Sequence, residues 1–259
     1  MEDSVISDLT VRRFSGLDRL LGVASANRVR KAHVTVVGIG GVGSWAAEAL
    51  ARSGVGQITL VDLDHVSESN INRQIQALES TIGMAKVDAM ASRIASINPH
   101  CIVNRIDDFA SKENWQSIVP DHVDGVIDAC DQVQAKMAMA TWAMRNRKLL
   151  ICVGAAGGKT HAHRVDVADL SKTTNDPLLA SLRYQLRKAG DAPKGGTTIG
   201  LTCVFSNEPV KKPDISCSVG GGDGSLNCQG YGSLVTVTAT FGLVSAGWMI
   251  EKLSKAKSV

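Results

Sequence analysis

The amino-acid sequence predicts an α/β fold: a doubly wound, mostly parallel sheet with a substrate-facing elaboration towards the carboxyl terminus. Four short runs of apolar, largely β-branched residues show no polar alternation, which is typical of strands buried on both faces. Helical patterns separate these runs, and this alternation indicates parallel strands joined by right-handed crossovers. A glycine-rich stretch directly after the first run indicates a tight turn between a strand and the start of a helix.

The predicted elements follow from local patterns. The four strands are predicted at 34–38, 58–62, 123–128 and 149–154, and the helices at 43–53, 84–97 and 132–147. In the second helix, Met84, Val87 and Ile94 recur at helical spacing, and the Asn98-Pro99 pair ends it. Further along, a strand is expected at 163–169, a helix at 176–190, and loops over 190–232, which are rich in Gly, Ser, Pro and Lys.

Length and composition indicate one folded domain with additions. The chain has 259 residues, of which 44% are hydrophobic, and this excludes a disordered chain. We expect an ATP-binding core at 1–155 and an elaboration of the same domain at 156–259. None of the six cysteines forms a C-x-x-C pair, which argues against a zinc site built on paired cysteines. Free thiols are typical of the reducing cytoplasm, and the amino-terminal segment does not resemble a signal peptide. Both features favour a cytoplasmic location of the protein.

Residues 224–250 contain no charged residue and no histidine. The last apolar part of this segment is about as long as a membrane helix, roughly 20 residues, but its Thr, Ser and Gly content makes it weakly hydrophobic. We therefore expect a buried core or subunit-interface helix. The sequence leaves open whether this segment attaches the protein peripherally to a membrane.

The glycine-rich turn at 38–43 reads GIGGVG and indicates a Rossmann-like phosphate site. Gly38, Gly40 and Gly43 have the G-x-G-x-x-G spacing, so the backbone can approach a phosphate at the start of a helix. Asp62 ends the next strand and is placed to accept hydrogen bonds from ribose hydroxyls. These residues alone support a redox dinucleotide as readily as ATP.

The residues after Asp62 favour ATP. Arg73 and Lys86 supply a planar fork and a compact charge, which suit a triphosphate and a departing pyrophosphate better than a nicotinamide cofactor. Asp131 fits a magnesium ligand, because Mg²⁺ is usually held by one or two carboxylates and substrate phosphates.

Five motifs in order, G-x-G-G-x-G, D-x-D, N-x-x-R-Q, a later Lys and D-x-x-D, resemble the adenylation domain of ubiquitin-activating enzymes and the molybdopterin and thiamine adenylyltransferases. The match covers about residues 10–155. It implies a homodimer in which Arg13 of each subunit reaches the partner's site; a surface arginine on a helix is the alternative. It implies Mg²⁺ at Asp131. The implied ATP-binding residues are Gly38, Gly40, Gly41, Gly43, Asp62, Asp64, Asn70, Arg73, Gln74 and Lys86.

A closer resemblance runs nearly end to end. It rests on the segments RRFSGLDRLLG, NRQIQAL, SKTTNDPLLASLR, TCVFSNEP and TVTATFG, which are similar to those of the bacterial tRNA threonylcarbamoyladenosine dehydratases. This subfamily implies ATP-dependent cyclisation of the modified adenosine 37 in the anticodon loop of tRNA, through adenylation of its carboxylate. The catalytic residues it implies are Arg13, Arg73, Lys86 and Asp131. A sulfur-transfer or substrate-delivery protein as a further partner stays open.

A covalent route through a thiol is a further hypothesis. Cys228 lies in a glycine-rich stretch and is the more mobile candidate, with Cys203 as the second. A small packing residue is the alternative in both places, because free cysteines are often buried. Sequence does not show the lowered pKa that thiolate chemistry needs.

Three other functions compete with this interpretation. An adenylyltransferase for a ubiquitin-like or sulfur-carrier protein shares the chemistry, but the subfamily segments and the missing cysteine pairs count against it. An NAD-dependent oxidoreductase leaves Arg73, Lys86 and Asp131 unexplained. A non-catalytic scaffold is disfavoured because every expected ATP-contacting position is filled.

Overall fold

The computed structural model describes residues 2–212 and 231–255, with side chains described from residue 12 onwards. Seven strands form one sheet, and the predicted doubly wound, mostly parallel architecture is confirmed. The strands are β1 (His33–Val37), β2 (Gln57–Val61), β3 (Ile102–Ile106), β4 (Gly125–Asp128), β5 (Leu149–Val153), β6 (Val165–Asp169) and β7 (Thr202–Ser206). Their order is β3-β2-β1-β4-β5-β7-β6, and every neighbouring pair is parallel except the antiparallel pair of β6 and β7.

Helices cover both faces of the sheet. The described helices are α1 (Glu2–Leu21), α2 (Val23–Lys31), α3 (Gly43–Arg52), α4 (Lys86–Ile97), α5 (Trp115–Ile118), α6 (Val133–Asn146), α7 (Pro177–Ala189) and α8 (Val235–Lys255). Side chains of α2, α3, α4 and α8 pack in one core with Val34 and Val36 of β1. Side chains of α5, α6 and α7 pack in a second core with Val37. Because successive strand residues point to opposite faces, both cores draw on the same strands.

Local sequence explains where α7 begins and ends. Asp176 precedes the helix, and its Oδ1 accepts a hydrogen bond from the Leu179 backbone N–H at 2.9 Å. Pro177 occupies the first helical position, where no backbone donor is needed. Gly190 follows the last turn with φ +82°, a left-handed conformation that favours glycine.

The prediction of loops over 190–232 is wrong for residues 202–206. This segment is β7, and its Cys203, Val204 and Phe205 are buried between β5 and β6. The Gly, Pro and Lys residues around it belong to its flanking connections, which obscured a five-residue strand. Two helices at the amino terminus and β3, an edge strand with a polar Asn104-Arg105 pair, were not predicted either.

Helix α8 contains residues 235–250 of the uncharged segment 224–250. It packs one face against α3, with Val237, Phe241 and Met249 buried in the core. None of the helices in residues 2–212 and 231–255 has the length and apolar character that crossing a membrane demands. Gly242 lies at the crossing with α3, where a Cβ would overlap the Val42 carbonyl oxygen.

We predict that Gly242→Ala destabilises the protein by about 1–3 kcal/mol, because the added methyl must push α8 away from the α3 backbone. Gly247→Ala on the same helix is the matched control, since a Cβ there meets no atom within 4 Å. Helix propensity then makes the control more stable by about 1 kcal/mol. Urea unfolding of both variants measures the difference, and equal stabilisation by both would contradict the close crossing.

Candidate active site

A cavity of about 660 Å³ opens at the carboxyl ends of the central strands. It lies where the strand order reverses between β1 and β4, the position at which doubly wound sheets bind ligands. The sequence-predicted residues that line it are Gly38, Gly40, Gly41, Asp62, Asp64, Asn70, Arg73, Gln74, Lys86 and Asp131. Gly43 and Arg13 are not part of the lining, and Cys228 lies outside the described residues.

The glycine turn is shaped by close backbone contacts. Gly38 has φ +84°, and a Cβ there would lie 2.8 Å from the Ala129 carbonyl oxygen. A Cβ on Gly43 would overlap the Gly38 carbonyl oxygen, so glycine lets α3 start directly against β1. Gly43 therefore supports the turn without lining the cavity.

The amino end of α3 presents unused backbone donors to the cavity. No described residue accepts a hydrogen bond from the N–H groups of residues 40–43. A Cβ on Gly40 would meet no atom within 4 Å, which shows that this part of the turn borders open space. Free N–H groups at the positive end of a helix form an anion-binding site.

Asp62 braces the glycine turn with both carboxylate oxygens. Its Oδ2 accepts a hydrogen bond from the Ile39 N–H at 2.6 Å, and its Oδ1 accepts one from the Asp64 N–H at 2.9 Å. Burial raises the pKa of Asp62, while the charge of Lys86 and these two hydrogen bonds oppose the rise. The same carboxylate stands at the end of β2, where ribose hydroxyls bind in this fold.

Lys86 begins α4 and is positioned by acidic residues. Its Nζ donates to Asp64 Oδ2 at 2.6 Å and lies 4.0 Å from Asp62 Oδ1. Lys86 is buried, yet it lines the cavity. The ammonium group is therefore held in place beside the glycine turn.

Arg73 lies across the glycine turn. A Cβ on Gly41 would be 3.2 Å from Arg73 Cδ, so glycine leaves room for the arginine stem. The guanidinium donates to the Ser69 carbonyl oxygen at 2.7 Å and to Asn72 Oδ1 at 3.0 Å. Burial lowers the pKa of Arg73, but a guanidinium stays charged at neutral pH. Lys86 and Arg73 thus both border the space above the free N–H groups.

Asn70 and Gln74 order the loop that carries Arg73. Asn70 Oδ1 accepts a hydrogen bond from the Ser67 N–H at 3.2 Å and so closes the short 3₁₀ turn Glu68–Asn70. Gln74 Oε1 accepts a hydrogen bond from Gln76 Nε2 at 3.1 Å, and the same Nε2 donates to the Ile39 carbonyl oxygen at 2.9 Å. The loop is thereby joined to the glycine turn.

The residues present fit a magnesium ion that is completed by substrate. Asp131 lines the cavity. No described residue donates a hydrogen bond to its carboxylate or forms an ion pair with it. Within the described residues no group of three or more His, Cys, Asp or Glu side chains is arranged to hold a metal. A single carboxylate with phosphate oxygens and waters is the usual donor set for Mg²⁺.

A buried ion pair beneath Asp131 was not predicted. Lys136 of α6 is fully buried, and its Nζ donates to Asp128 Oδ1 at 3.0 Å and to the Val153 carbonyl oxygen at 2.7 Å. Burial alone would lower the pKa of Lys136, but the neighbouring Asp128 carboxylate raises it. Lys136 therefore ties the end of β4 to the end of β5. The sequence signal that could have revealed this ion pair is a lysine among the apolar positions of the 132–147 helix.

The remaining predicted residues lie away from the cavity. Arg13 of α1 is exposed and donates to the Ile97 carbonyl oxygen at 2.6 Å, at the end of α4. Its role in a partner's site stays a prediction. Cys203 is fully buried in β7, and burial raises its pKa, which disfavours the thiolate.

The similarity to known proteins extends over nearly the whole chain. The model of the ThiF family matches residues 15–259. The chain is 44% identical over 253 residues to the tRNA threonylcarbamoyladenosine dehydratase of Haemophilus influenzae, which covers 95% of each chain. It is 42% identical over 257 residues to the Escherichia coli protein of that name, which covers 96% of each chain. The solved structure of the E. coli enzyme in complex with ATP superposes with a TM-score of 0.85 over 96% of each chain.

We predict that Lys136→Met destabilises the protein by about 3–5 kcal/mol, because it leaves the Asp128 carboxylate buried without its counter-charge. The double variant Lys136→Met/Asp128→Leu should recover much of this loss, since removing both charges removes the desolvation cost. Lys148→Met, which loses one hydrogen bond to the Val123 carbonyl oxygen, is the control and should cost far less. Urea unfolding measures all three, and an unimproved double variant would contradict the pairing.

Proposed function

Because the chain belongs to the ThiF family, and within it to the tRNA threonylcarbamoyladenosine dehydratases, we propose how its cavity carries out ATP-dependent dehydration of N6-threonylcarbamoyladenosine at position 37 of tRNA. The observation that carries this mechanism is the meeting of free glycine-turn N–H groups, Arg73, Lys86 and Asp131 around one cavity. These groups suit a triphosphate that is attacked by a carboxylate.

The chemistry begins with activation of the substrate carboxylate, which is a poor electrophile because oxide is a very poor leaving group. A carboxylate oxygen attacks the α-phosphorus of ATP, the bond between the α- and β-phosphates breaks, and pyrophosphate leaves. A nitrogen or oxygen of the same modification then attacks the activated carbonyl carbon. AMP leaves, the attacking atom loses its proton to solvent, and a ring closes with net loss of water. Intramolecular closure benefits from proximity.

The residues of the cavity divide this work by charge and position. The N–H groups of residues 40–43 bind phosphate oxygens, and Asp62 accepts hydrogen bonds from the ribose. Arg73 and Lys86 offset the negative charge that develops on pyrophosphate. Asp131 would hold Mg²⁺ together with phosphate oxygens, and the ion would supply further positive charge there. Asp64 orients Lys86 through the 2.6 Å ion pair.

We assign ATP binding to residues 1–155 and contacts with tRNA and with a second subunit to residues 156–259, as parts of one domain. The strand β7 joins the sheet beside β5, so the second part continues the first without a break in the sheet. Because ATP and tRNA are both cytoplasmic, we place the reaction in the cytoplasm.

We predict that the purified protein, with ATP and magnesium, converts threonylcarbamoyladenosine in tRNA to a nucleoside lighter by one water. One AMP and one pyrophosphate should form for each product, as measured by mass spectrometry of nucleosides and by nucleotide chromatography. Arg73→Ala and Lys86→Ala should lower kcat by about 10²–10³-fold, because each removes a charge that stabilises the transition state.

Arg105→Ala is the matched control for these two variants. Arg105 is an exposed cation of β3 that pairs with Asp88 and does not line the cavity, so its loss should leave kcat unchanged. ATP–pyrophosphate exchange stimulated by a diglycine-tailed carrier protein in place of tRNA would instead support the rival adenylyltransferase. Absence of the lighter nucleoside would overturn the proposed function.

Arg13 provides a test of the dimer. We propose that Arg13 of one subunit completes the cavity of its partner, because it lies on α1 outside its own cavity. Mixing inactive Arg13→Ala and inactive Lys86→Ala subunits should then restore about a quarter of wild-type activity, since each mixed dimer regains one intact site. Arg12→Ala, the neighbouring exposed arginine, is the control. A mixture that stays inactive after subunit exchange would contradict the shared site.

A further inference from the structure

Among the residues that the structure describes, one end of the cavity lining carries no charged side chain. This uncharged end is lined by residues 154–157, by Pro177 and Leu178 at the start of α7, and by Val210 and Tyr231. The charged groups described above lie at the glycine-turn end. The two ends therefore offer different environments to different parts of the bound molecules.

Backbone hydrogen bonds hold the uncharged end together. The Gly158 N–H donates to the Gly232 carbonyl oxygen at 2.9 Å, and the Lys211 N–H donates to the Gly158 carbonyl oxygen at 2.8 Å. Asn72 Nδ2 donates to the Ser233 carbonyl oxygen at 3.3 Å, which joins this end to the loop that carries Arg73. The segment with Tyr231 thus lies between the two halves of the cavity wall.

Tyr231 packs closely against two glycines. A Cβ on Gly157 would be 3.3 Å from Tyr231 Cβ, and a Cβ on Gly158 would be 3.2 Å from Tyr231 Cδ1. Gly158 also has φ +70°, a conformation that side chains disfavour. The chain therefore allows the aromatic side chain to lie close against this wall.

Two sequence segments that the ATP chemistry does not use, 171–183 and 202–209, meet behind the uncharged end. Lys159 is 1% exposed, and its Nζ donates to the carbonyl oxygens of Asn175 at 2.8 Å and of Glu208. Asn175 Nδ2 in turn donates to the Asn207 carbonyl oxygen at 2.7 Å. One buried ammonium group and one amide thus fasten both segments together.

The carboxylates of this region accept hydrogen bonds from backbone N–H groups inside the cavity wall. Asp176 Oδ2 accepts a hydrogen bond from the Ala155 N–H at 2.9 Å, directly behind the lining. Glu208 accepts hydrogen bonds from the N–H groups of Thr160 and His161; burial opposes them, yet together with the side-chain hydrogen bonds they lower its pKa to about 2. Lys159, Asp176 and Glu208 do not line the cavity. The wall is polar inside and uncharged on the surface that faces a ligand.

An uncharged surface affects which nucleophile attacks the activated carbonyl. An activated carbonyl can be attacked by the nucleophile of its own modification or by water. In both cases the bond from the carbonyl carbon to the AMP oxygen breaks, but attack by water restores the carboxylate and consumes ATP without forming a ring. Apolar side chains such as those of Pro177, Leu178 and Val210 offer water no hydrogen-bond partners, so a carbonyl held beside them meets less water.

The two benzenoid side chains that line the cavity lie towards different ends. Phe109 follows β3, which is hydrogen bonded to the end of β2 through the Asp62 N–H, so it is on the ribose side. Tyr231 is at the uncharged end. RNA loops are commonly read by stacking a displaced base on an aromatic side chain.

We propose that the uncharged end is the nucleoside subsite: it takes the modified adenosine of tRNA, with Tyr231 packed against the base, and keeps water from the activated carbonyl. This inference rests on the proposed function. It assigns substrate binding to the segments at 171–183 and 202–209, which build the wall behind the subsite.

The test measures two quantities: the KM for tRNA, and the number of AMP molecules released for each cyclised nucleoside. Tyr231→Leu should raise the KM for tRNA about 10-fold or more, because base stacking is lost. It should also release more than one AMP for each cyclised nucleoside, while the KM for ATP stays unchanged. Tyr231→Phe keeps the ring and should rescue both properties. Arg105→Ala, which changes an exposed residue outside the cavity and outside residues 156–259, serves as the control.

The outcomes separate the two proposals. Suppose that the wild-type protein cyclises the nucleoside, and that Tyr231→Leu has an unchanged KM for tRNA and still releases one AMP for each product. The proposed nucleoside subsite is then overturned, and the proposed function stands. A parallel rise in the KM for ATP would also overturn it, since that indicates general damage. If Tyr231→Leu does not fold, Val210→Ser introduces a polar group at the same end, and unchanged coupling there counts against the subsite. If wild-type protein forms no cyclised nucleoside, the proposed function itself fails.

Discussion

The Asp62 carboxylate is the interaction on which the geometry of the cavity depends. One oxygen holds the glycine turn through Ile39, and the other holds the turn after β2 through Asp64. These two loops carry the free N–H groups of residues 40–43 and the acid that positions Lys86. Burial raises the pKa of Asp62, so ionising it in the folded protein costs free energy. The nearby Lys86 and the two backbone donors offset part of that cost.

Buried lysines extend this arrangement to the other loops at the same edge of the sheet. Lys136 joins the ends of β4 and β5, and Lys159 joins the segments that contain Asn175 and Glu208. Both ammonium groups donate to main-chain carbonyl oxygens, which lets irregular segments be held without a ladder of strands. These hydrogen bonds fix the loops around the cavity at the carboxyl edge of the sheet.

The charge distribution along the cavity follows the order of the reaction. Arg73, Lys86 and Asp131 surround the glycine-turn end, where phosphate charge must be bound and moved. The described residues of the opposite end place no charge in the lining, because the carboxylates of Asp176 and Glu208 accept hydrogen bonds within the wall. One fold thus provides a strongly polar environment for pyrophosphate and a drier one for the activated carbonyl, in the sense of our proposed mechanism.

The sequence by itself determined the features that depend on neighbouring residues. Apolar runs predicted β1, β2, β4 and β5, the glycine spacing predicted the turn at 38–43, and ordered motifs brought Asp62, Arg73, Lys86 and Asp131 into one hypothesis that the cavity lining supports. Only the tertiary structure decided the rest. The burial of β7 comes from its neighbours β5 and β6. The Lys136–Asp128 contact joins a helix to a strand, and the Lys159–Glu208 contact joins two loops that are far apart in the sequence. A lysine has the same local pattern whether it faces water or a distant carbonyl, so long-range packing alone shows which role it has.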